Sequence, residues 1–478
     1  MNKVVKNYIY NLLYQILVLL VPLITTPYIS RVLGAKCVGI FSYTNSLVQY
    51  FILFGCIGLN LYGQREIAYH QHEQEKRDIA FWELFFLRTI TVSISLIFFF
   101  LFTVLYARYS YVLIIMSLDI IASMFDISWF FQGIEDFKKI VERNIIIKFV
   151  GVILIFVFVK TSNDLRIYVL CHSLTLLLGN LSMWFYLPSI LKSVPFSKLR
   201  LLQHLKPAIL LLLPQISISI YTVLDKTMIG LLTGIEEEVA FYEQGQKIVK
   251  LVLALLTSLG VVMLPRVANL FKQNEIDKIR EYLGNAFKFT FFISFPMMFG
   301  LMAISCSVVP WFFGAGYEKV VPNMIIISPV LVFIAVSNII GNQFLLPTGR
   351  QKEYTISVVI GCVVNCCLNL LLIPLYFSIG AAIATIISEF SVTVVQVFFT
   401  RRDFDLKSIV FSNDKYIICS AIMFVPTYLI ARILTPTIVN SMICMVIGGF
   451  VYVGLLYALK DEALMEVINK IMEKVKRN

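Results

Sequence analysis

Apolar positions in this chain run on unbroken for twenty residues or so at a time, separated by short polar stretches. An apolar run of roughly 20 residues is what a helix needs to cross the hydrocarbon core. Such runs occupy 8–29, 38–62, 81–106, 110–131, 144–160, 165–187, 207–232, 237–263, 284–312, 320–346, 354–374, 377–399, 416–434 and 439–459. Strands of a membrane barrel would alternate apolar and polar positions, and these runs do not. Helices satisfy every backbone group internally, which the bilayer demands. The pattern therefore predicts an all-α integral membrane protein with about 14 transmembrane helices.

Composition agrees: mean hydropathy is +0.84, and 14% of residues are charged against about 25% in soluble domains. Charge then supplies the orientation. Of the 40 Lys and Arg, 27 lie at the termini or in loops after even-numbered segments. Seven lie in loops after odd-numbered segments: Arg31, Lys36, Arg108, Lys160, Arg166, Lys319 and Arg432. Positive charge collects on the cytoplasmic side, so both termini are expected there. The net charge of +11 thus reports topology and lipid headgroups as partners, and needs no nucleic acid. Nine cysteines, mostly within apolar segments such as Cys306, Cys362, Cys366 and Cys367, read as small hydrophobes. The first run is too long for a signal peptide and no small-residue cleavage site follows it, so it is expected to stay.

No loop exceeds about twenty residues, which leaves no room for a soluble catalytic domain. An internal repeat appears at an offset of 200: Leu12, Leu13, Gln15, Ile16, Ile29 and Gly34 match Leu212, Leu213, Gln215, Ile216, Ile229 and Gly234. Six crossings separate the copies, so they share an orientation, as in parallel transporter repeats. The expected organisation is an N-terminal six-helix lobe at 1–187 and a basic interlobe linker at 188–206. A pseudo-symmetric second six-helix lobe at 207–400 and two additional helices within 416–459 follow. The tail, 460–478, puts Leu464, Val467, Ile468, Ile471, Met472 and Val475 on one helical face with lysines off it, a pattern suited to anionic headgroups.

Charges inside the segments are where function is legible, because each costs about 2.5–3.5 kcal/mol at a helix centre on insertion scales. The bases are Arg88, Lys148, Lys226, Lys247, Lys250 and Lys288. Lys148 and Lys288 lie near segment ends and can snorkel. Glu243, Lys247 and Lys250 fall at i, i+4, i+7 and form one stripe that stays net positive after Glu243 and Lys247 pair. Arg88, Lys226, Lys247 and Lys250 are the candidate cationic substrate-binding groups. Asp119, Asp126, Asp225 and Glu389 are candidates for ion or proton coupling. Asn338 with Asn342 and Asn365 with Asn369, both i, i+4 pairs, join Glu243 as expected polar lining of a cavity between the lobes; interhelical hydrogen bonding is their plainer role. Asp225 and Lys226 are neighbours and point about 100° apart on a helix. One is expected to face the cavity and the other a neighbouring helix, and the first lobe has Thr25 and Thr26 at that register.

No P-loop, H-E-x-x-H or G-x-S-x-G motif occurs, and no cofactor or metal site is expected. His70 and His72 lie in a loop without cysteines nearby, and His172 suits packing more than proton transfer. Five blocks carry a family resemblance: "YISRVLGAKCVGIFSYTNSLVQYF" (28–51), "YGQREIAYH" (62–70), "WFFQGIEDFKKIVERNIIIK" (129–148), "LDKTMIGLLTG" (224–234) and "LLPTGRQKEYTISVVIGCVVNCCLNLLLIP" (345–374). In that order they resemble the Wzx-type polysaccharide flippases of the multidrug/oligosaccharidyl-lipid/polysaccharide exporter superfamily.

The resemblance implies a non-enzymatic carrier whose two lobes enclose a cavity opening to one side at a time. The implied substrate is an undecaprenyl-pyrophosphate-linked oligosaccharide, the repeat unit of a capsule, exopolysaccharide or O-antigen. Polysaccharide polymerase and chain-length machinery would be further partners. A pyrophosphate needs cations in a low-dielectric cavity, which fits the basic stripe. A lipid-linked peptidoglycan-precursor flippase and a cation-coupled drug exporter of the same superfamily stay open. A membrane glycosyltransferase or polymerase would need larger external loops than these.

Overall fold

The computed structural model describes residues 3–106, 108–273, 275–403, 409 and 411–466, with side chains described for these except 3–19, 213–222, 255, 257–266, 268 and 276. The apolar runs fold as helix throughout, and no strand occurs among the described residues. The helices are α1 (Lys3–Cys56), α2 (Leu59–Tyr69), α3 (Gln74–Tyr106), α4 (Ser110–Met124), α5 (Ser128–Gly133), α6 (Phe137–Phe158), α7 (Leu165–Ser182) and α8 (Leu205–Thr233). They continue as α9 (Glu236–Lys272), α10 (Ile276–Phe313), α11 (Val320–Ile327), α12 (Val330–Asn338), α13 (Gln351–Thr400), α14 (Asp414–Ile433) and α15 (Ile438–Ala458). Among the described residues, nine helical stretches are long and apolar enough to span a bilayer. This is a multi-pass membrane protein, and the figure of 14 crossings rests on the apolar runs.

The turns expected between runs differ in kind. Between the first two runs the chain stays helical and breaks only at Gly34, whose φ of 75° lies in the left-handed region that favours glycine. The eleventh and twelfth runs likewise share α13, which breaks at Phe377 with φ 54°, three residues after Pro374 removes a backbone donor. The fourth run, expected as one helix, divides into α4 and α5 at Asp126. There Asp126 Oδ1 accepts from the Ser128 N–H at 3.0 Å and the Ser128 hydroxyl at 2.6 Å. The tenth run divides at Pro329 into α11 and α12, and a π-helical stretch follows at Ile339–Leu345.

Two compact units divide the chain, Met1–Gly230 with Ile235–Ala240 and Leu231–Gly234 with Phe241–Asn478. In the first, α4 packs on α7, α3 and α1, and α2 on α5. The α2–α5 contact joins two of the sequence blocks quoted above. A Cβ at Gly63 would lie 2.6 Å from the Trp129 ring, and one at Gly133 would lie 2.7 Å from Ile67, so each glycine admits a neighbour's side chain. Around that contact Tyr62, Phe81, Trp129, Phe130 and Phe131 form an aromatic core, with Trp82 and Trp184 against it.

The basic stretch 188–206 is fastened to α3 of this unit. Arg77 donates to the Ile190 carbonyl at 3.0 Å, and Trp82 Nε1 to the Lys192 carbonyl at 3.2 Å. Asp78 accepts from the Lys192 N–H at 3.1 Å. In the second unit, α14 and α15 pack on α10 and on each other. Trp311 Nε1 donates to Ser441 Oγ at 2.7 Å, and the Tyr452 hydroxyl donates to the Phe292 carbonyl at 2.8 Å. Residues 467–478, most of the expected amphipathic tail, lie outside the described residues.

Candidate functional site

The basic stripe sits on α9, and helix geometry alone sorts its residues. Tyr242, Gln244, Gly245, Ile248 and Val249 are buried, Glu243, Gln246 and Lys247 are half-buried, and Lys250 is exposed. The buried face is fixed by polar contacts as well as packing. The Tyr242 hydroxyl lies 2.9 Å from the Thr385 hydroxyl of α13, and Gln246 Nε2 donates to Tyr242 Oη at 3.0 Å. A Cβ at Gly245 would lie 3.3 Å from Asn323 Cβ on α11. Docking through the Tyr242 face thus leaves Lys247 partly and Lys250 largely outside the packed side of the helix, as the helical period requires.

On α8, Asp225 is 2% exposed and Lys226 is half-buried. Of the two neighbours, the base is therefore the one with access, as the 100° between adjacent helical side chains allows. A further residue along, Thr227 bonds to Ser46 Oγ of α1 at 2.8 Å, so α8 is packed against α1 at this level.

Arg88 is placed differently from the expectation. It is 1% exposed, and its donors are taken up by the Ser123 carbonyl at 2.7 Å, Asn60 Oδ1 at 2.5 Å and Cys56 Sγ at 3.4 Å. Asp126 lies 3.9 Å from it. Planar guanidinium geometry suits such a multi-helix tie, and here it fastens α1, α2 and α3 to the α4–α5 break. Arg88 is thus a buried tie, while Asp126 stays half-buried and holds the Ser128 N–H and hydroxyl at the α4–α5 break.

The asparagine pairs also diverge. Asn365 and Asn369 are fully buried, and Asn369 Nδ2 donates to Asn365 Oδ1 at 3.0 Å along α13, rather than lining an accessible wall. Asn338 and Asn342 are half-buried, and Asn338 Oδ1 accepts from Gln343 Nε2 at 3.3 Å across the π-helical stretch. Glu389 of α13 is buried, as is Asp119 of α4. Lys288 reaches Glu462 at 2.9 Å, beyond the end of α15, which is the outcome a snorkelling base gives.

One buried polar network has no trace in the sequence pattern. His204 Nε2 lies 2.8 Å from Glu83 Oε2, and its Nδ1 lies 2.8 Å from the Tyr62 hydroxyl. Glu83 also accepts from the Arg200 N–H and from Gln203 Nε2 at 2.9 Å. These residues come from α2, α3 and the 188–206 stretch, so no spacing could have signalled them. Among the described residues no group of three or more His, Cys, Asp or Glu is arranged to hold a metal ion.

Known proteins place this architecture. The chain is 25% identical over 428 residues to a protein of Escherichia coli (strain K12) named "Putative O-antigen transporter", covering 87% of this chain and 98% of that one. Its fold matches the "Lipid II flippase MurJ, inward closed conformation" with a TM-score of 0.77 at 16% identity, over 96% of this chain and all of that one. An inward-facing multidrug resistance MATE family transporter of the MOP superfamily matches with a TM-score of 0.66 at 14% identity, over 81% and 96%. The MatE family model matches residues 211–371, and the family model described as "Polysaccharide biosynthesis protein" matches residues 4–271, more than half the chain. The chain thus belongs to the polysaccharide biosynthesis protein family, the Wzx-type flippases of that superfamily, and is a membrane transporter rather than an enzyme.

Proposed function

We propose that this protein flips an undecaprenyl-pyrophosphate-linked oligosaccharide repeat unit from the cytoplasmic to the outer leaflet of a bacterial cytoplasmic membrane by alternating access. The observation that carries this reading is the match, over almost the whole length of both chains, to a protein named as an O-antigen transporter. The half-buried bases Lys226 and Lys247 and the exposed Lys250 support it chemically. Charge-assisted bonds to a diphosphate are worth more than neutral ones, and more again away from water. A cationic drug would instead select acids at those positions. The lipid tail can stay in the bilayer while the protein shelters the polar head. Both termini lie in the cytoplasm in this scheme, from the distribution of Lys and Arg.

Deleting the gene and extracting the lipid-linked intermediates of the cytoplasmic leaflet tests the reading. A lipid-linked oligosaccharide repeat unit is expected to accumulate while surface polysaccharide is lost. Accumulation of a peptidoglycan precursor would assign the protein to that substrate instead. Unchanged lipid pools with altered drug sensitivity would assign it to drug export.

A further inference from the structure

Where the 188–206 stretch runs along the start of α3, a cavity of about 370 Å³ remains between them. Its lining includes Glu75, Asp78 and Ile79 of α3 and Lys192, Val194 and Lys198 of the stretch. Residues 75–79 precede the apolar run that begins at 81 by two to six positions, about 3–9 Å at 1.5 Å per residue. The headgroup layer adds roughly 5–8 Å to each side of the hydrocarbon core, so the cavity sits at its level. Aromatic rings mark the same level, as tryptophans do at membrane interfaces. Trp82 is half-buried and donates to the Lys192 carbonyl at 3.2 Å. Phe196, 67% exposed, packs on Phe86 with ring centroids 4.7 Å apart.

Buried and backbone groups fix the frame of this cavity. Asp78 is 2% exposed, and its two oxygens meet Arg77 at 3.4 Å and the Lys192 N–H at 3.1 Å. Lys192, held through its backbone, is itself exposed. Lys198 pairs with Glu75 at 3.0 Å, and both of these side chains are more than half exposed. An exposed pair of this kind is worth little, so a ligand can take over its members at small cost. The cavity thus offers two ammonium groups and one carboxylate, beside the apolar Ile79 and Val194.

That set of charges selects among ligands. A bare anion gains the lysines but meets Glu75, and a bare cation gains Glu75 but meets the lysines; like charges brought together suppress a partner. A molecule carrying both a phosphodiester and an ammonium matches both signs, and each contact is then charge-assisted. A primary ammonium also brings three N–H donors for the carboxylate. We propose that this cavity binds the headgroup of a membrane phospholipid bearing a primary ammonium, with its phosphate on Lys192 and Lys198 and its ammonium on Glu75. The acyl chains run past Phe196 and Phe86 into the hydrocarbon. With α3 on one side and the 188–206 stretch on the other, the lipid adds to the ties that hold the stretch on the first unit.

Native mass spectrometry of the purified full-length protein tests this. The protein is titrated in detergent micelles with phosphatidylethanolamine or phosphatidylglycerol of the same acyl chains. The unaltered protein should bind its first phosphatidylethanolamine more tightly than its first phosphatidylglycerol. Lys192→Ala and Lys198→Ala should each weaken that binding by roughly fivefold, the upper end for an exposed charge contact. Glu75→Gln should erase the preference between the two lipids. All three substitutions fall at exposed residues, and an unchanged unfolding temperature in each variant shows that the fold is intact. Equal affinity for the two lipids in the unaltered protein would overturn the proposal, as would a preference that survives Glu75→Gln. Tighter binding of phosphatidylglycerol would also overturn it, by marking a site for anions.

Discussion

Along α9 Tyr242 and Ile248 are buried, Lys247 is half-buried and Lys250 exposed, and the proposed flippase chemistry rests on this division. A charge-assisted bond is worth about 1.5–3 kcal/mol, or roughly 10–100-fold in affinity. Lys250→Ala and Lys247→Ala are each expected to lower surface-polymer output, with Arg at either position restoring part of it; full output in the double alanine variant would contradict a cationic substrate contact. Buried residues answer to a different assay. Removing one member of the Glu83–His204 pair strands its partner, so Glu83→Gln and His204→Ala should each destabilise the protein by about 3 kcal/mol, read as a lowered unfolding temperature. Asp461 gives a prediction in pH. Burial opposes its charge, but Lys415, the Leu464 N–H and the Tyr416 hydroxyl together hold its carboxyl below the ordinary carboxylate range. The folded-state value is thus depressed, so the stabilisation is complete above the unfolded value of about 3.9 and is lost as pH falls through the folded one. Asp461→Asn should flatten the acid limb of a stability–pH curve, and an unchanged limb would show that Asp461 contributes nothing to it.

At some glycines the neighbouring element leaves no room for a side chain. A Cβ on Gly39 of α1 would collide with the Glu236 carbonyl oxygen at the start of α9, and one on Gly230 of α8 would collide with the Tyr43 ring. The same corner is tied by Arg108 to Glu236 at 2.7 Å and by the Tyr43 and Tyr106 hydroxyls at 2.6 Å. Gly39→Ala and Gly230→Ala should therefore cost at least the 1–3 kcal/mol or so of overpacking. A methyl carbon added at Gly284 or Gly300 of α10 would meet nothing within 4 Å, and alanine there should gain about 0.5–1 kcal/mol from helix propensity. Thermal unfolding of the four variants in one detergent separates these cases; equal behaviour would contradict the packing. At this scale the sequence was half legible. The 20-residue apolar runs found the helices, but not that α1 turns at a single glycine, nor that Asp126 divides α4 from α5. Hydropathy measures how long the apolar stretch is, and a break that keeps backbone groups paired leaves no mark on it.

For the molecule as a whole, the family resemblance and the helical membrane architecture were both readable from the residues alone, because lipid leaves few solutions and the blocks come in a fixed order. The compact units divide the chain at 230–241, whereas the 200-residue repeat divides it at 188–206. A repeat would record where copies begin, and a compact unit records what packs, so α8 is expected with the second copy while its residues through Gly230 fall in the first unit. Reporter fusions after residue 466 and within 315–319 test the proposed topology: the first should report cytoplasm, the second the outer face. The same compartment at both would overturn the orientation.

The sequence by itself determined that this is a helical membrane transporter, which segments are apolar enough to cross, and which charges inside them are too costly to be idle. Those are properties of composition and spacing, summed over neighbours along the chain. Only the tertiary structure decided which costly charges are spent on holding helices together. Arg88, Asp126, Asn365 and Asn369 carry the same intramembrane signal as Lys226, Lys247 and Lys250. Their partners, however, lie on other helices or turn inward on their own. The physical reason is that a polar group in lipid must be satisfied, and the sequence states the need without stating what meets it.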